Sequence, residues 1–141
     1  MLLPFLAAVS ILAISTSSTL AMTIKKESIK TWSVPNQTDK LSGTFTILED
    51  NGTIKAYGQT YLYGFFQGTS YPTTLKLVMY PKIMGNQVAV INETATRGNN
   101  VPFEFVNMGP VNTSQVYSIE GYHYAYKDGV WVAGGANVVY W

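Results

Sequence analysis

The sequence predicts an all-β protein, an antiparallel β-sandwich of about eight strands with a small β-barrel as second choice, and three observations predict it. After Thr31, apolar residues recur at every second position or in short runs, the period of a half-buried strand. Gly, Asn, Pro and Asp interrupt them about every eight to twelve residues, the turn spacing of sandwiches and barrels. No segment carries apolar residues at a sustained helical spacing; Ile24 to Ile29 comes nearest and is short and polar. Consecutive antiparallel strands must stack as two sheets, or close on themselves, to bury one face each.

In chain order, residues 22–40 read as an extended segment ahead of a domain spanning 41–141. Leu41 to Leu48 alternates around Thr44 and Thr46, and Glu49-Asp50-Asn51-Gly52 ends it with an Asn-Gly pair suited to a tight hairpin. Thr53 to Tyr57 returns, Gln59 to Phe66 is a further β-rich stretch, and Gly68 to Pro72 turns the chain. Thr74 to Tyr80 sets Leu75, Leu77 and Met79 on one face, and Pro81, which has no N–H to donate, is expected to stop it. Val88 to Asn92 and Val101 to Phe105 read as short strands around an Arg97-Gly98-Asn99-Asn100 loop. Gln115 to Tyr126 is the longest strand, and Lys127-Asp128-Gly129 turns it into Val130 to Ala133. Gly134-Gly135 is expected to break the chain before a last strand, Asn137 to Trp141, apolar enough to pair within the sheet or with a second chain.

Composition narrows the function classes. The chain has 141 residues, the length of a single domain, and charged residues make up 12% of it, about half the usual 25% share. Such a chain is neither disordered nor a polyelectrolyte. A net charge of +1 without a basic block offers nothing for a phosphate backbone, so nucleic acid is not an expected partner. The absence of cysteine excludes disulfides, thiolate nucleophiles, thiolate zinc sites and a lipidated cysteine.

Residues 1–21 read as a signal peptide. Leu2 to Ile14 is interrupted only by Pro4 and Ser10 and is followed by Ser15 to Ser18 and Thr19-Leu20-Ala21, with small residues placed for cleavage after Ala21. As a helix that run rises about 20 Å, short of a bilayer core of about 30 Å, so no stable membrane anchor is expected after cleavage. Its n-region has no Lys or Arg, which keeps an uncleaved anchor as the competing reading. Four sequons, at Asn36, Asn51, Asn92 and Asn112, fall at expected turns or strand ends and would be glycosylated in a eukaryotic secretory pathway.

Little here promises catalysis. His123 is the one histidine and shares a strand face with Ile119, Gly121 and Ala125, the setting of a neutral, hydrogen-bonded ring. No Gly-x-Ser-x-Gly elbow exists, and one histidine with scattered carboxylates makes poor zinc ligation. Asp50-Asn51-Gly52 and Lys127-Asp128-Gly129 lack the acidic ligand series of a calcium loop and read as hairpin turns. Glu104 and Glu120 lie between apolar neighbours and would serve a small secreted hydrolase if they met each other or His123 in a pocket. No catalytic residue, metal site or cofactor is therefore expected. The more informative feature is the opposite face of the longest strand, Tyr122, Tyr124 and Tyr126, with Trp131 across the next turn. Such rings stack sugars or anchor protein partners when exposed, and fill a core when not; alternation alone leaves open which row meets water.

The hairpin from Leu62-Tyr63-Gly64 to Pro72, the strand Thr74 to Val78, the block Val101-Pro102-Phe103-Glu104-Phe105, and Tyr117-Ser118-Ile119 leading into Lys127-Asp128-Gly129-Val130-Trp131 resemble the pilotin-like, YscW-type family of exported proteins over about half of the chain. The resemblance implies an immunoglobulin-like sandwich and, as one alternative, a periplasmic or envelope chaperone gripping an extended partner on a sheet edge. Family members at the bacterial outer membrane are lipidated on a cysteine after the signal peptide, whereas here Ala21 is followed by Met22. The expectation is therefore a secreted, glycosylated, non-catalytic β-sandwich that binds a protein or carbohydrate partner or serves as a structural surface.

Overall fold

A computed structural model describes residues 22–35, 39–63, 74–96, 100–102 and 105–141. The expected signal peptide, the Asn36 sequon, the turn expected at 68–72 and the pair Phe103-Glu104 lie outside the described residues. Those described form ten strands and no helix: β1 (Met22–Ser33), β2 (Lys40–Asp50), β3 (Thr53–Tyr63), β4 (Thr74–Ile83), β5 (Asn86–Gln87), β6 (Ile91–Thr96), β7 (Asn100–Pro102), β8 (Val106–Pro110), β9 (Tyr117–Lys127) and β10 (Val130–Tyr140).

Two antiparallel sheets pack face to face. One has the order β1-β2-β3, with β7 and β8 sharing the far side of β3; the other has the order β10-β9-β4, with β5 and β6 sharing the far side of β4. From β2 onward the chain runs through β3, crosses to β4 and its edge, returns to β7 and β8 beside β3, and crosses again to β9 and β10. That is the Greek-key connectivity of an immunoglobulin-like sandwich with β1 added as a leading strand. A local device supports the same assignment. Tyr117, at the start of β9, sends its phenol back to the chain before it, donating to the Pro110 carbonyl at 3.1 Å and receiving the Asn112 N–H at 3.1 Å. This is the tyrosine corner of such sandwiches, and Trp141 stacks on the same ring at 5.5 Å.

The core is what alternation predicts. Leu41, Phe45 and Ile47 of β2 and Ile54 and Ala56 of β3 face Leu75, Leu77 and Met79 of β4 and Ile119 and Ala125 of β9, all fully buried. With no disulfide, these two apolar rows hold the sheets together. Polar contacts then tie β1 to β10: Asn137 donates through its amide to the carbonyls of Ser28 (2.9 Å) and Gly43 (3.1 Å), and the Ser28 hydroxyl donates back to Asn137 Oδ1 (2.6 Å).

Several local expectations change. Residues 22–33 are extended but belong to the first sheet, paired with β2 from Met22↔Asp50 to Ser33↔Lys40 around a bulge. Thr53 to Tyr63 is one strand where two were expected. Pro81 does not end β4, which runs on to Ile83. The Pro81 carbonyl accepts the Val88 N–H at 2.9 Å, and in an antiparallel ladder the missing N–H lies on that same side. The missing donor therefore falls on the β5–β6 edge and leaves the pairing with β9 intact through Pro81↔Ile119. For the same reason Val88 to Val90 is not strand, and the pairing resumes as β6 over Ile91–Thr96.

Gly134-Gly135 likewise does not break the last strand; β10 is continuous from Val130 to Tyr140. The two glycines are there because neighbours come close. A Cβ on Gly134 would fall 2.9 Å from Tyr124 Cδ1 and 3.2 Å from Trp131 Nε1, and one on Gly135 would overlap the Trp32 indole.

Candidate functional site: a tyrosine face on the second sheet

The site begins with the period of β9. Ile119, Gly121, His123 and Ala125 point inward and are buried, while Glu120, Tyr122, Tyr124 and Tyr126 point out. Packing decides the orientation: in the inward row Gly121 lies against the Val78 carbonyl and Phe45, and His123 lies against Phe45. The rings left outside are at least partly exposed, 43% for Tyr122. Tyr122 and Tyr124 are nearly parallel, with centroids 5.9 Å apart and planes 12° apart; Tyr126 follows at 6.1 Å but is tilted by 48°. The row is therefore ribbed rather than coplanar along its whole length.

Neighbouring strands extend it. Trp131 of β10 is the register partner of Tyr126 and is 54% exposed; its Nε1 lies over Gly134, towards Tyr124. On β4, Lys76 pairs with Tyr124, Val78 with Tyr122 and Tyr80 with Glu120. Burial raises the Tyr124 phenol above its ordinary value of 10, and Tyr126, Tyr122 and Tyr80 add to the rise. The Tyr124 phenol is thus a neutral hydrogen-bonding group at physiological pH.

Beside the row is a concavity of about 400 Å³ bounded by Tyr80, Glu120, Tyr122, Val138, Tyr140 and Lys30. Glu120 stands among the three tyrosines and is ion-paired to Lys82 at 2.7 Å. Sequence reasoning singled out Tyr122, Tyr124, Tyr126 and Trp131 but passed over Tyr80 and Tyr140. The signal available was parity: Tyr80 alternates with Leu77 and Met79, and Tyr140 with Val139. That β4, β9 and β10 are neighbours in this register was not readable.

His123 lies on the other side of the sheet. It is fully buried, its Nδ1 is 2.7 Å from Thr60 Oγ1, and its ring packs on Phe45 at 4.6 Å and Trp32 at 5.7 Å. Burial lowers its pKa from 6.5 to about 3, so the imidazole is neutral. Glu120 and His123 therefore face opposite ways from one strand and share no cleft, and Glu104 lies outside the described residues. The hairpins at Asn51-Gly52 and Asp128-Gly129 have positive φ at both residues, as tight turns require.

Asn51, Asn92 and Asn112 are exposed. Asn112 Oδ1 accepts both the Ser114 N–H (3.0 Å) and its hydroxyl (2.7 Å). Asn92 pairs with Val78, which pairs on its other side with Tyr122, so this sequon stands on the tyrosine face. Among the described residues no helix is long and apolar enough to cross a membrane. The chain matches no family model, no curated protein and no solved structure.

Proposed function

We propose that the chain is an exported, N-glycosylated binding module that works without chemistry, through the tyrosine face of its second sheet. The observation that carries this reading is that Tyr122, Tyr124, Tyr126 and Trp131 share one face, Tyr122 and Trp131 exposed and Tyr124 and Tyr126 half-buried. Tyr and Trp combine a large apolar ring with a polar handle, and they are enriched among the residues that dominate recognition surfaces. A hydrolase draws no support from the placement of His123 and Glu120 on opposite faces. A pilotin-type chaperone would use a sheet edge. The β1 edge carries Lys25 and Lys26 beside a bulge, the features that discourage strand addition, so the face is the better candidate for the partner.

The test is binding of the secreted protein to arrays of defined extracellular proteins and glycans, beside a variant carrying Tyr122→Ala, Tyr124→Ala and Trp131→Ala. The variant is expected to keep its circular dichroism and melt within a few degrees of the parent, because these rings are not core, and to lose at least tenfold in signal on whatever ligand the parent binds. Retention of that signal would remove the face from the function. Glycosylation is tested separately by intact mass before and after enzymatic removal of N-glycans. A mass loss assigned to Asn51, Asn92 or Asn112 is expected; an unchanged mass in protein from its native cells would end the glycoprotein reading.

A further inference from the structure

Among the described sequons, Asn51 and Asn112 lie between strands, whereas Asn92 lies within β6. Its direction is therefore set by the pleat. Asn92, Val78 and Tyr122 form one register line across β6, β4 and β9, and Thr94, Lys76 and Tyr124 form the next. Residues opposite one another on antiparallel strands point to the same side of their sheet. The exposed Asn92 amide thus leaves the molecule on the side of the tyrosine row. Neighbouring strands are about 4.8 Å apart, which sets Asn92 about 10 Å from Tyr122 and, along the diagonal, about 12 Å from Tyr124.

That spacing matters because of the size of a partner. A stable protein–protein contact covers about 800 Å² on each side, a disc of about 16 Å radius. A footprint of that size centred on Tyr122 or Tyr124 includes Asn92. The bare asparagine is small and both donates and accepts hydrogen bonds, so it fits beneath such a contact. An N-linked glycan is a bulky, water-binding branch rooted at one point inside the footprint. A folded partner would have to confine that branch and strip water from its hydroxyls, and both oppose binding. Resting on the readings of this face as a binding surface and of the chain as N-glycosylated, we infer that the glycan at Asn92 regulates the face. With Asn92 occupied, the tyrosine row is screened from folded protein partners; with Asn92 unoccupied, it is open to them. The other two described sequons lack this register with the row.

The experiment compares the full secreted chain from its native cells in parent, Asn92→Gln and Asn51→Gln forms, with occupancy of Asn92 read by peptide mass spectrometry. The probe is a single-domain antibody selected on Asn92→Gln and kept only if Tyr122→Ala abolishes its binding. It is expected to bind Asn92→Gln at least tenfold more tightly than the glycosylated parent. Asn51→Gln, on the β2–β3 hairpin of the other sheet, is expected to behave as the parent does. Enzymatic removal of glycans from the parent is expected to restore binding, which separates the glycan from the substitution itself. An unoccupied Asn92, or equal binding by parent and Asn92→Gln, overturns the inference and leaves the face to be judged by the triple variant on the arrays. If the antibody discriminates as expected while the triple variant loses no array ligand, the glycan still covers the row and the binding reading alone falls.

Discussion

Gly121→Ala is expected to cost about 3 kcal/mol or more, the upper end for forcing a methyl group into a filled core. Gly121 is buried in the middle of β9, opposite Met79. An added Cβ would overlap the Val78 carbonyl oxygen and would lie 2.8 Å from Phe45 Cζ. The first obstacle is backbone, held in the β4–β9 ladder, and cannot rotate away as a side chain would. The second is the largest apolar side chain of β2, wedged between the sheets. Relief therefore requires the two central strands to part or the sheets to separate. Either response removes a sizeable part of the about 5–15 kcal/mol by which a domain is normally stable. Gly129→Ala is the natural comparison. Nothing lies within 4 Å of its Cβ position, and only its φ of +79° is unfavourable, so its cost is about 1 kcal/mol. Urea unfolding of both variants, read as the change in midpoint at constant slope, checks the pair. A Gly121→Ala midpoint as high as that of Gly129→Ala would mean that β9 does not lie against Phe45 and β4 as described.

The same glycine shows what was legible in the sequence. Period-2 alternation is a local property, and it placed Ile119, Gly121, His123 and Ala125 on one face and the tyrosines on the other without error. Which face is inside depends on what lies opposite. Phe45 is distant in sequence, and its demand for a residue without a side chain at position 121 leaves no mark on β9 itself. Gly134-Gly135 misleads for the same reason. Glycine is read locally as a breaker, yet here it admits Trp32 from another sheet and Trp131 from its own strand. Pro81 misleads because the rule against proline in a strand concerns the side on which the donor is missing. At Pro81 that side faces the β5–β6 edge and not β9. The candidate site was half legible: Tyr122, Tyr124, Tyr126 and Trp131 follow from one hairpin, whereas Tyr80 and Tyr140 join them only through strand neighbours that pair across long sequence separations.

His123 is expected to make the fold acid-sensitive well above the pH at which its own ring is protonated in the folded state. Its folded pKa is about 3 against an ordinary 6.5, because burial excludes the water that would solvate an imidazolium. Between those two values the unfolded chain binds a proton that the folded chain refuses. Stability therefore rises with pH across this window, is complete above 6.5, and is progressively lost as pH falls toward 3. At about 1.4 kcal/mol per pH unit the full span is on the order of 5 kcal/mol. The environment gives no relief. Nδ1 is engaged with Thr60, and among the described residues Nε2 has no hydrogen-bond partner. Trp32, Phe45 and the Gly43 backbone close around the ring. Replacing both polar partners, His123→Leu with Thr60→Val, removes the titrating group and the hydroxyl it would strand. Packing a thicker side chain against Gly43 lowers stability by a constant amount, but the slope of unfolding free energy between pH 6.5 and 3 is expected to flatten. Carboxylates such as Asp50 and Glu49, ion-paired with Lys55 and Lys25, are common to both proteins, so the difference between the slopes isolates the histidine. An NMR titration provides the direct check: the His123 ring proton shift should stay constant from pH 8 to 4 while the protein remains folded. A midpoint near 6.5 would place the ring in water and sink both the neutral core histidine and the acid sensitivity derived from it.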